Sequence, residues 1–422
     1  MKQILEDTEK TFDVNTIRKD FPVLSENVYG KPLIYLDNAA TSQKPHTVVD
    51  ELVSFYSTYN ANIHRGVHFL SQKASQAYDD VRVKVKEFIH AASEEEIIFT
   101  GGTTDSINLI ASTWGRKFIH SGDEIIISAM EHHSNIVPWQ MLCEEKGAKL
   151  KVIPMNDKGE LLLEELNNLL SSKTKLVSVV HTSNSLGTIN PIERIISKVH
   201  EYAAANSIEI PIVVDVAQAV VHEPLNVQKL DCDFLCFSSH KMLGPTGTGV
   251  LYGKAKWLND MPPYRGGGDM IKSVSFEKTI YNDIPFRFEA GTPNIADVIA
   301  FGKAIDYLNS IDRIVALNYE MGLAKKASSL LSAIEGVRLI GTAENKTSVV
   351  SFIIEGVNAM DAGMYLDTLG IAVRTGHHCT EPVMQRFNIP GTIRASFLFY
   401  NTMSEVDALV DGVKNAVKFL KR

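Results

Sequence analysis

The feature that most constrains the fold of this chain is a repeated alternation of short β-branched runs with helical stretches. Seven nearly uninterrupted apolar runs, most of them leading into a polar loop and a helical pattern, span residues 96–100, 124–128, 150–154, 176–180, 212–215, 234–237 and 250–252. Strands without polar alternation are buried on both faces, and the intervening helices cover those faces. We therefore predict an α/β protein with a mainly parallel seven-stranded sheet.

The pattern changes after about residue 300, where long amphipathic helices and a few strands follow, at 348–354 and 371–374. We predict a large α/β domain over residues 31–300. A smaller α+β domain is predicted over residues 301–422, together with an N-terminal arm, residues 1–30. In sheets of this kind ligands bind beyond the carboxyl ends of the strands, so the loops that follow the strands are the candidate sites.

Composition excludes several classes of protein. The 422 residues are 45% hydrophobic and 22% charged, which is typical of globular proteins with a substantial core. The net charge of −8 gives no field that would attract nucleic acid, so no nucleic-acid partner is expected. No apolar run approaches the 18 residues of a membrane span, the N-terminal residues do not resemble a signal peptide, and four cysteines do not form a disulfide framework. We expect a cytoplasmic protein without membrane contact.

Three loops carry residues typical of ligand binding. Residues 100–106 read Thr-Gly-Gly-Thr-Thr-Asp-Ser before a helix expected to begin near Asp105. Such glycines and free helix N–H groups favour an anion, although an ordinary capped turn has the same composition. Asp215 closes an apolar strand, where a carboxylate needs a cation or several donors unless it caps a helix. Lys241 follows the run 234–237 closely and is a candidate for Schiff-base formation, although most lysines are solvated surface residues.

Together the three loops describe one ligand. It would carry a phosphate beside residues 102–104, Ser238 and His240, an aldehyde for Lys241, and a ring nitrogen whose protonation Asp215 sustains. Pyridoxal phosphate has these three features, and a lysine Schiff base with an acidic partner for the pyridinium is its usual arrangement in proteins. Each motif alone is weak, and the prediction of this cofactor rests on their conjunction.

Motifs along almost the whole chain, from about residue 20 to 400, resemble those of a SUF-type cysteine desulfurase of the class-V aminotransferase family. The resemblance implies the aspartate aminotransferase-like fold of pyridoxal-phosphate-dependent transferases. Gly101 departs from the pattern, since an arginine is common there, and this removes a charge near the phosphate end. The motifs are Tyr35-Leu-Asp-Asn-Ala-Ala40, Ile63-His-Arg-Gly66, Met130-Glu-His-His133, Ser183-Asn-Ser-Leu-Gly187, Asp215-Val-Ala-Gln218, Ser238-Ser-His-Lys241, Arg287-Phe-Glu-Ala-Gly-Thr-Pro-Asn294 and Arg374-Thr-Gly-His-His-Cys379.

The resemblance implies a role for each matching residue. Lys241 would hold the cofactor and move protons, His132 would stack on its ring, and Cys379 would be the nucleophile. The residues implied to bind the cofactor are Thr103, Thr104, His132, Asp215, Gln218, Ser238, His240, Lys241 and, from the neighbouring subunit of a homodimer, Thr292. The residues implied to bind the substrate are His64, Asn184, Arg374 and Arg394, the last through a two-pronged hydrogen bond to the carboxylate.

The implied reaction converts L-cysteine to L-alanine and leaves a persulfide on Cys379. The thiolate is the active form of such a nucleophile, and positive charge nearby favours it. Arg374 is one source of that charge, and His377 and His378 are further sources if they are protonated. A small buried hydrophobe is the alternative for Cys379, but its loop is polar. Three other cysteines lie in helix or strand patterns and are expected to be buried: Cys143, Cys232 and Cys236.

The short loop that carries Cys379 predicts a protein partner that accepts the sulfur. Cys379 lies five residue steps after Arg374, so at ~3.3–3.6 Å per residue the cysteine can move only modestly. An acceptor protein should therefore come to Cys379. The resemblance implies that this acceptor is of the SufE or SufU type and serves iron–sulfur cluster assembly. Residues 266–269, Gly-Gly-Gly-Asp, are expected to form either a mobile flap or a plain turn.

Other functions stay open at this stage. Selenocysteine lyase activity would use the same site. An aminotransferase or a kynureninase-like lyase would explain Lys241 and Asp215 but would give Cys379 no role. A non-catalytic scaffold that binds the cofactor would not need Lys241, Cys379 and Arg394 together. A metal is not expected, because the adjacent ligands at residues 377–379 make a poor tetrahedral set.

Overall fold

A computed structural model describes residues 12–421 of the chain; the first eleven residues of the predicted N-terminal arm and Arg422 lie outside the described residues. The strands are β1 (Asn27–Val28), β2 (Lys31–Pro32), β3 (Ile34–Tyr35), β4 (Ile97–Thr100), β5 (Glu124–Ser128), β6 (Lys149–Ile153), β7 (Thr174–Val180), β8 (Ile212–Asp215), β9 (Phe234–Ser238), β10 (Gly249–Gly253), β11 (Ile271–Val274), β12 (Thr279–Tyr281), β13 (Val337–Ile340), β14 (Val349–Ile354), β15 (Ile371–Ala372), β16 (Arg374–Gly376) and β17 (Thr392–Ser396).

Helices cover both faces of the central sheet and one face of a smaller one. They are α1 (Val14–Arg18), α2 (His46–Ser54), α3 (Phe69–Phe88), α4 (Thr103–Ile110), α5 (Arg116–Phe118), α6 (Val137–Lys146), α7 (Leu163–Leu169), α8 (Ile192–Ala205), α9 (Ala219–His222), α10 (Val227–Leu230), α11 (Ala255–Asp260), α12 (Ile295–Ser310), α13 (Arg313–Ser332), α14 (Ala359–Asp367), α15 (Glu381–Arg386) and α16 (Met403–Leu420). None of the helices described in residues 12–421 is long and apolar enough to cross a membrane.

The central sheet has seven strands in the order β4-β10-β9-β8-β7-β5-β6. The neighbours from β9 to β6 pair in parallel, whereas β10 is antiparallel to both β9 and β4. All seven predicted runs form these strands with bounds within two residues of the prediction. The predicted α/β fold with a mainly parallel seven-stranded sheet is confirmed.

Burial on both faces explains why these strands are almost continuously apolar. In β5, Ile126 packs into the core on one face of the sheet, and Ile125 and Ile127 pack into the core on the other. In β9, Leu235 and Cys236 divide between the two cores in the same way. Successive side chains of a strand point to opposite faces, and burial stabilises each large apolar one by about 1.5–3 kcal/mol.

The parallel arrangement brings several loop starts to one edge of the sheet. Thr100, Val180, Asp215 and Ser238 each end a strand at this edge, and the antiparallel β10 begins there with Gly249. The polar loops predicted to bind ligands therefore lie side by side. The helix after β4 begins at Thr103, two residues before the predicted start near Asp105.

A second sheet, in the order β13-β14-β17-β16, is antiparallel throughout and shares a hydrophobic core with α13, α14 and α16. The predicted strand 371–374 is divided in two. Ile371 and Ala372 pair in parallel with β3, whereas Arg374 pairs with Arg394 of β17. The two short strands have different partners, which a single apolar run could not reveal.

Candidate active site

A cavity of about 360 Å³ opens at the carboxyl edge of the central sheet, where this edge meets the second sheet. It brings together twelve of the predicted site residues from both halves of the chain. These are Thr103, Thr104, His132, Asn184, Asp215, Gln218, Ser238, His240, Lys241, Arg374, Cys379 and Arg394.

One end of the cavity is rich in hydroxyl and N–H groups. The Thr103 N–H donates to Ser238 Oγ at 2.8 Å, and the two hydroxyls are 2.8 Å apart. Gly249 lies so close to Gly102 that a Cβ on residue 249 would be 2.4 Å from the Gly102 Cα. Small residues therefore let the loop before α4 approach β10, and the start of α4 faces the cavity as an anion site. Burial lowers the pKa of His240 at this end to about 4, so its ring is neutral.

Two acid–base groups face each other in the middle of the cavity. Asp215 is buried and accepts the Ala217 N–H at 2.8 Å through one oxygen. Lys241, three residues after the end of β9, lines the same cavity. Burial raises the pKa of Asp215 and lowers that of Lys241, and the attraction between the two groups opposes both shifts. Gln218 is fixed nearby, since its Nε2 donates to the Ala39 carbonyl at 2.8 Å.

His132 presents a neutral ring to the cavity. Its Nδ1 accepts the Ser134 N–H at 3.1 Å, which leaves any ring proton on Nε2. Burial, aided by the positive charge of Lys241, lowers the pKa of His132 to about 3. A neutral imidazole can pack against the face of another ring without bringing a charge into the site.

Cys379 is exposed in a constrained loop between β16 and α15. Both His378 and Cys379 have positive φ, 53° and 55°, a conformation that side chains rarely adopt. Three hydrogen bonds hold the loop in place. The Cys379 carbonyl accepts the His133 N–H at 2.7 Å, the His378 carbonyl accepts Asn184 Nδ2 at 2.7 Å, and His133 Nε2 accepts the Glu381 N–H at 3.1 Å.

His378 does not supply positive charge to Cys379. Its Nε2 lies 2.7 Å from the Thr392 hydroxyl, and burial lowers its pKa to about 3, with Arg394 and Arg374 acting in the same direction. Arg374 is therefore a source of charge beside the cysteine, because its side chain is half exposed and lines the same cavity. The other three cysteines are buried, as predicted.

Two of the predicted site residues, His64 and Thr292, do not line this cavity. The His64 N–H donates to Ser75 Oγ at 2.8 Å, and its ring packs edge-on against Tyr78 and Phe286. Thr292 lines a separate cavity of about 220 Å³ that also includes Tyr78. Backbone and aromatic contacts fix His64 away from Lys241, so one chain alone does not bring it to the substrate pocket.

Two acidic residues at the site were not predicted from the sequence. Asp37 forms ion pairs with both Arg374 and Arg394. Glu131 is a buried carboxylate that accepts the Val180 N–H and Asn135 Nδ2 beneath His132. Both residues lie inside motifs that carried the resemblance. An acidic residue next to an apolar run was the sequence feature that could have marked each of them as a site residue. Among residues 12–421 no group of three or more histidine, cysteine or acidic side chains is arranged to hold a metal ion.

The cavity fits pyridoxal phosphate. The hydroxyls of Thr103 and Ser238 and the start of α4 suit the phosphate, and the second carboxylate oxygen of Asp215 has no hydrogen-bond partner among the described residues, which suits a ring N–H. The Lys241 amine lies on the same wall, and the neutral His132 ring can cover the cofactor. A lysine, an acidic residue and an anion site at the carboxyl edge of such a sheet define a pyridoxal-phosphate-dependent enzyme with the aspartate aminotransferase-like fold.

Comparison with known proteins gives the family. Residues 34–409 match the class-V aminotransferase family. The chain is 47% identical over 403 residues to a cysteine desulfurase of Synechococcus elongatus, and it spans 63% of that protein's length, which is under two thirds. It is 47% identical over 411 residues to a cysteine desulfurase of Escherichia coli O8, where the match covers 97% of this chain and 100% of the relative. The crystal structure of the Escherichia coli cysteine desulfurase CsdA superposes with a TM-score of 0.90 at 37% identity, covering 97% of this chain and 100% of that one. The chain therefore belongs to the class-V aminotransferase family and, within it, to the cysteine desulfurases.

Proposed function

We propose that this chain converts L-cysteine to L-alanine and stores the released sulfur as a persulfide on Cys379. The observation that carries the proposal is the placing of an exposed cysteine on the same cavity as Lys241, Asp215 and two arginines. An aminotransferase would need the lysine and the aspartate but would have no use for the cysteine. The names of the relatives support the same reaction.

Pyridoxal phosphate, when bound, supplies an electron sink for the substrate's Cα electrons. Burial lowers the pKa of Lys241, which favours the unprotonated amine that can take a proton at Cα and return one. Asp215 would hold a proton at the ring nitrogen of the bound cofactor, and His132 would shield one face of its ring. Arg394, with help from Arg374, binds the substrate carboxylate and so fixes which bond at Cα is broken.

Cys379 performs the sulfur transfer. Its sulfur attacks the sulfur of the substrate, an S–S bond forms, and the bond between Cβ and sulfur breaks with its electron pair left on the organic fragment. Protonation of that fragment yields alanine. The guanidinium groups of Arg374 and Arg394 line the same cavity as Cys379, and the thiolate, rather than the thiol, is the reactive form of a cysteine.

The persulfide then passes to an acceptor protein of the SUF type for iron–sulfur cluster assembly. The three contacts that hold the Cys379 loop support this step, because a loop held by His133 and Asn184 cannot carry sulfur far from the cavity. We propose that the acceptor comes to the exposed Cys379. Four free cysteines agree with a reducing compartment such as the cytoplasm.

Mass spectrometry of the protein after a single turnover tests the proposal. After incubation with L-cysteine and removal of small thiols, the peptide that contains Cys379 should carry one additional sulfur atom that a reductant removes. The buried Cys143 in the same sample is the internal control and should stay unmodified. A chain that releases alanine without sulfur on Cys379 would contradict the assigned nucleophile.

A further inference from the structure

Two arginines lie directly opposite each other on neighbouring strands at the cavity. Arg374 of β16 pairs with Arg394 of β17 in the antiparallel register. Side chains of such a pair lie on the same face with their Cβ atoms ~4.5–5.5 Å apart, and like charges in this position destabilise the sheet. A third group is needed to keep both guanidinium groups in place.

Asp37 is that group. Arg374 donates to Asp37 Oδ2 from Nε at 3.1 Å and from Nη2 at 2.7 Å, and Arg394 Nη2 donates to Asp37 Oδ1 at 3.2 Å. The Asp37 side chain is 12% exposed. Its backbone is fixed beside β17, because Asp37 forms a bridge with Ser396 and the Ser396 N–H donates to the Leu36 carbonyl at 2.8 Å.

The arginines keep donors free for a ligand. Arg394 is 2% exposed and donates to the Asn184 carbonyl from Nη1 at 3.0 Å, yet its Nε has no hydrogen-bond partner within residues 12–421. The half-exposed Arg374 lines the same cavity as Cys379 and Lys241. Two guanidinium groups and one carboxylate leave one net positive charge, which complements a ligand with a single carboxylate.

We infer that Asp37 is a positioning residue that holds both arginines in the geometry that receives the α-carboxylate of the amino-acid substrate. This inference rests on the proposed function. Asp37 touches neither substrate nor cofactor in this role. It reduces the repulsion between the arginines and fixes Arg374, whose long side chain would otherwise be free to extend into solvent. Arg394, also held by Asn184, depends on it less.

The variant Asp37→Asn, which removes the charge at almost constant volume, tests this role. Because a charge-assisted hydrogen bond to each arginine is weakened, we expect the KM for L-cysteine to rise ~10–100-fold with a much smaller change in kcat. The dissociation constant of the holoenzyme for L-alanine, measured by calorimetry, should rise in parallel. The dissociation constant for ethylamine, which lacks the carboxylate, should stay unchanged.

Asp157→Asn is the matched control. Asp157 is 90% exposed and pairs with Arg386 at 2.7 Å, outside the cavity, so its removal should change none of these constants. The melting temperature of each variant separates misfolding from a local effect. An unchanged or lower KM and alanine dissociation constant in Asp37→Asn would overturn the inference, as would an equal loss for alanine and ethylamine. If the wild type released no alanine, the proposed function would fail, while the two dissociation constants would still test Asp37.

Discussion

At the scale of single residues, burial decides which groups around the cavity carry charge. Three histidines line the cavity, and burial lowers the pKa values of His132 and His378 to about 3 and of His240 to about 4. All three are neutral at physiological pH. Positive charge for a carboxylate substrate therefore comes from Arg374 and Arg394 rather than from histidines.

The neutral state of His378 predicts a pH dependence of stability. The unfolded state takes up a proton near pH 6.5, whereas the folded state does so only near pH 3, so stability falls as the pH drops below 6.5. Between pH 7.5 and pH 5 this residue should reduce the free energy of unfolding by about 2 kcal/mol. Chemical denaturation at both pH values should show a smaller loss in His378→Gln than in the wild type. Equal losses would contradict a depressed pKa.

His133 predicts a second effect, on the mobility of the Cys379 loop. His133→Ala keeps the backbone contact to the Cys379 carbonyl but removes the acceptor for the Glu381 N–H. One lost hydrogen bond costs ~1 kcal/mol, so alkylation of Cys379 by iodoacetamide should be about fivefold faster. The exposed His120 offers the control His120→Ala, which should leave the rate unchanged. A rate unchanged in both variants would mean that His133 does not restrain the loop.

At the scale of elements, the sequence predicted the central sheet well because each strand is buried on both faces and carries its own apolar signal. It predicted less about the strands whose partners are distant in sequence. The run 371–374 divides between β15 and β16 because its first two residues pair with β3, whereas Arg374 pairs with β17. Asp37 was missed for the same reason, since its contacts with Arg374 and Arg394 depend on how distant segments pair.

Gly249→Ala tests the approach of two elements at the phosphate end. Its Cβ would lie 2.4 Å from the Gly102 Cα, so β10 and the loop before α4 must move apart. We expect a loss of stability of about 1–3 kcal/mol and a roughly tenfold weaker affinity for pyridoxal phosphate by absorbance titration. Gly253→Ala, in the same strand, instead contacts the Leu258 side chain at 2.8 Å. This control should lose stability but keep cofactor affinity, and equal losses of affinity would argue against a specific phosphate loop.

At the scale of the whole molecule, two of the predicted site residues lie outside the cavity that the others share. His64 and Thr292 both lie on the Tyr78 side of the chain, away from Lys241. That Thr292 serves the site of a neighbouring subunit stays a prediction, as do the domain boundary near residue 300 and the mobile flap at residues 266–269. The cavity itself is lined by residues from both the central sheet and the second sheet.

Mixing two impaired variants tests whether Thr292 acts across a dimer. Lys241→Ala removes the lysine but keeps Thr292, and Thr292→Ala does the reverse. A heterodimer of the two would contain one site with both native residues, so activity after subunit exchange should exceed the mean of the two separate variants. If Thr292 serves its own chain, or if no dimer forms, the mixture should show only that mean.

The most direct test of the central claim is the release of alanine from L-cysteine in the presence of a reducing thiol, compared between the wild type and Cys379→Ala. We expect the wild type with bound pyridoxal phosphate to release alanine and sulfide in equal amounts. The variant should release essentially none although it still binds the cofactor. Equal alanine release by the two proteins, or none from a wild type that binds the cofactor, would contradict a desulfurase with Cys379 as its nucleophile.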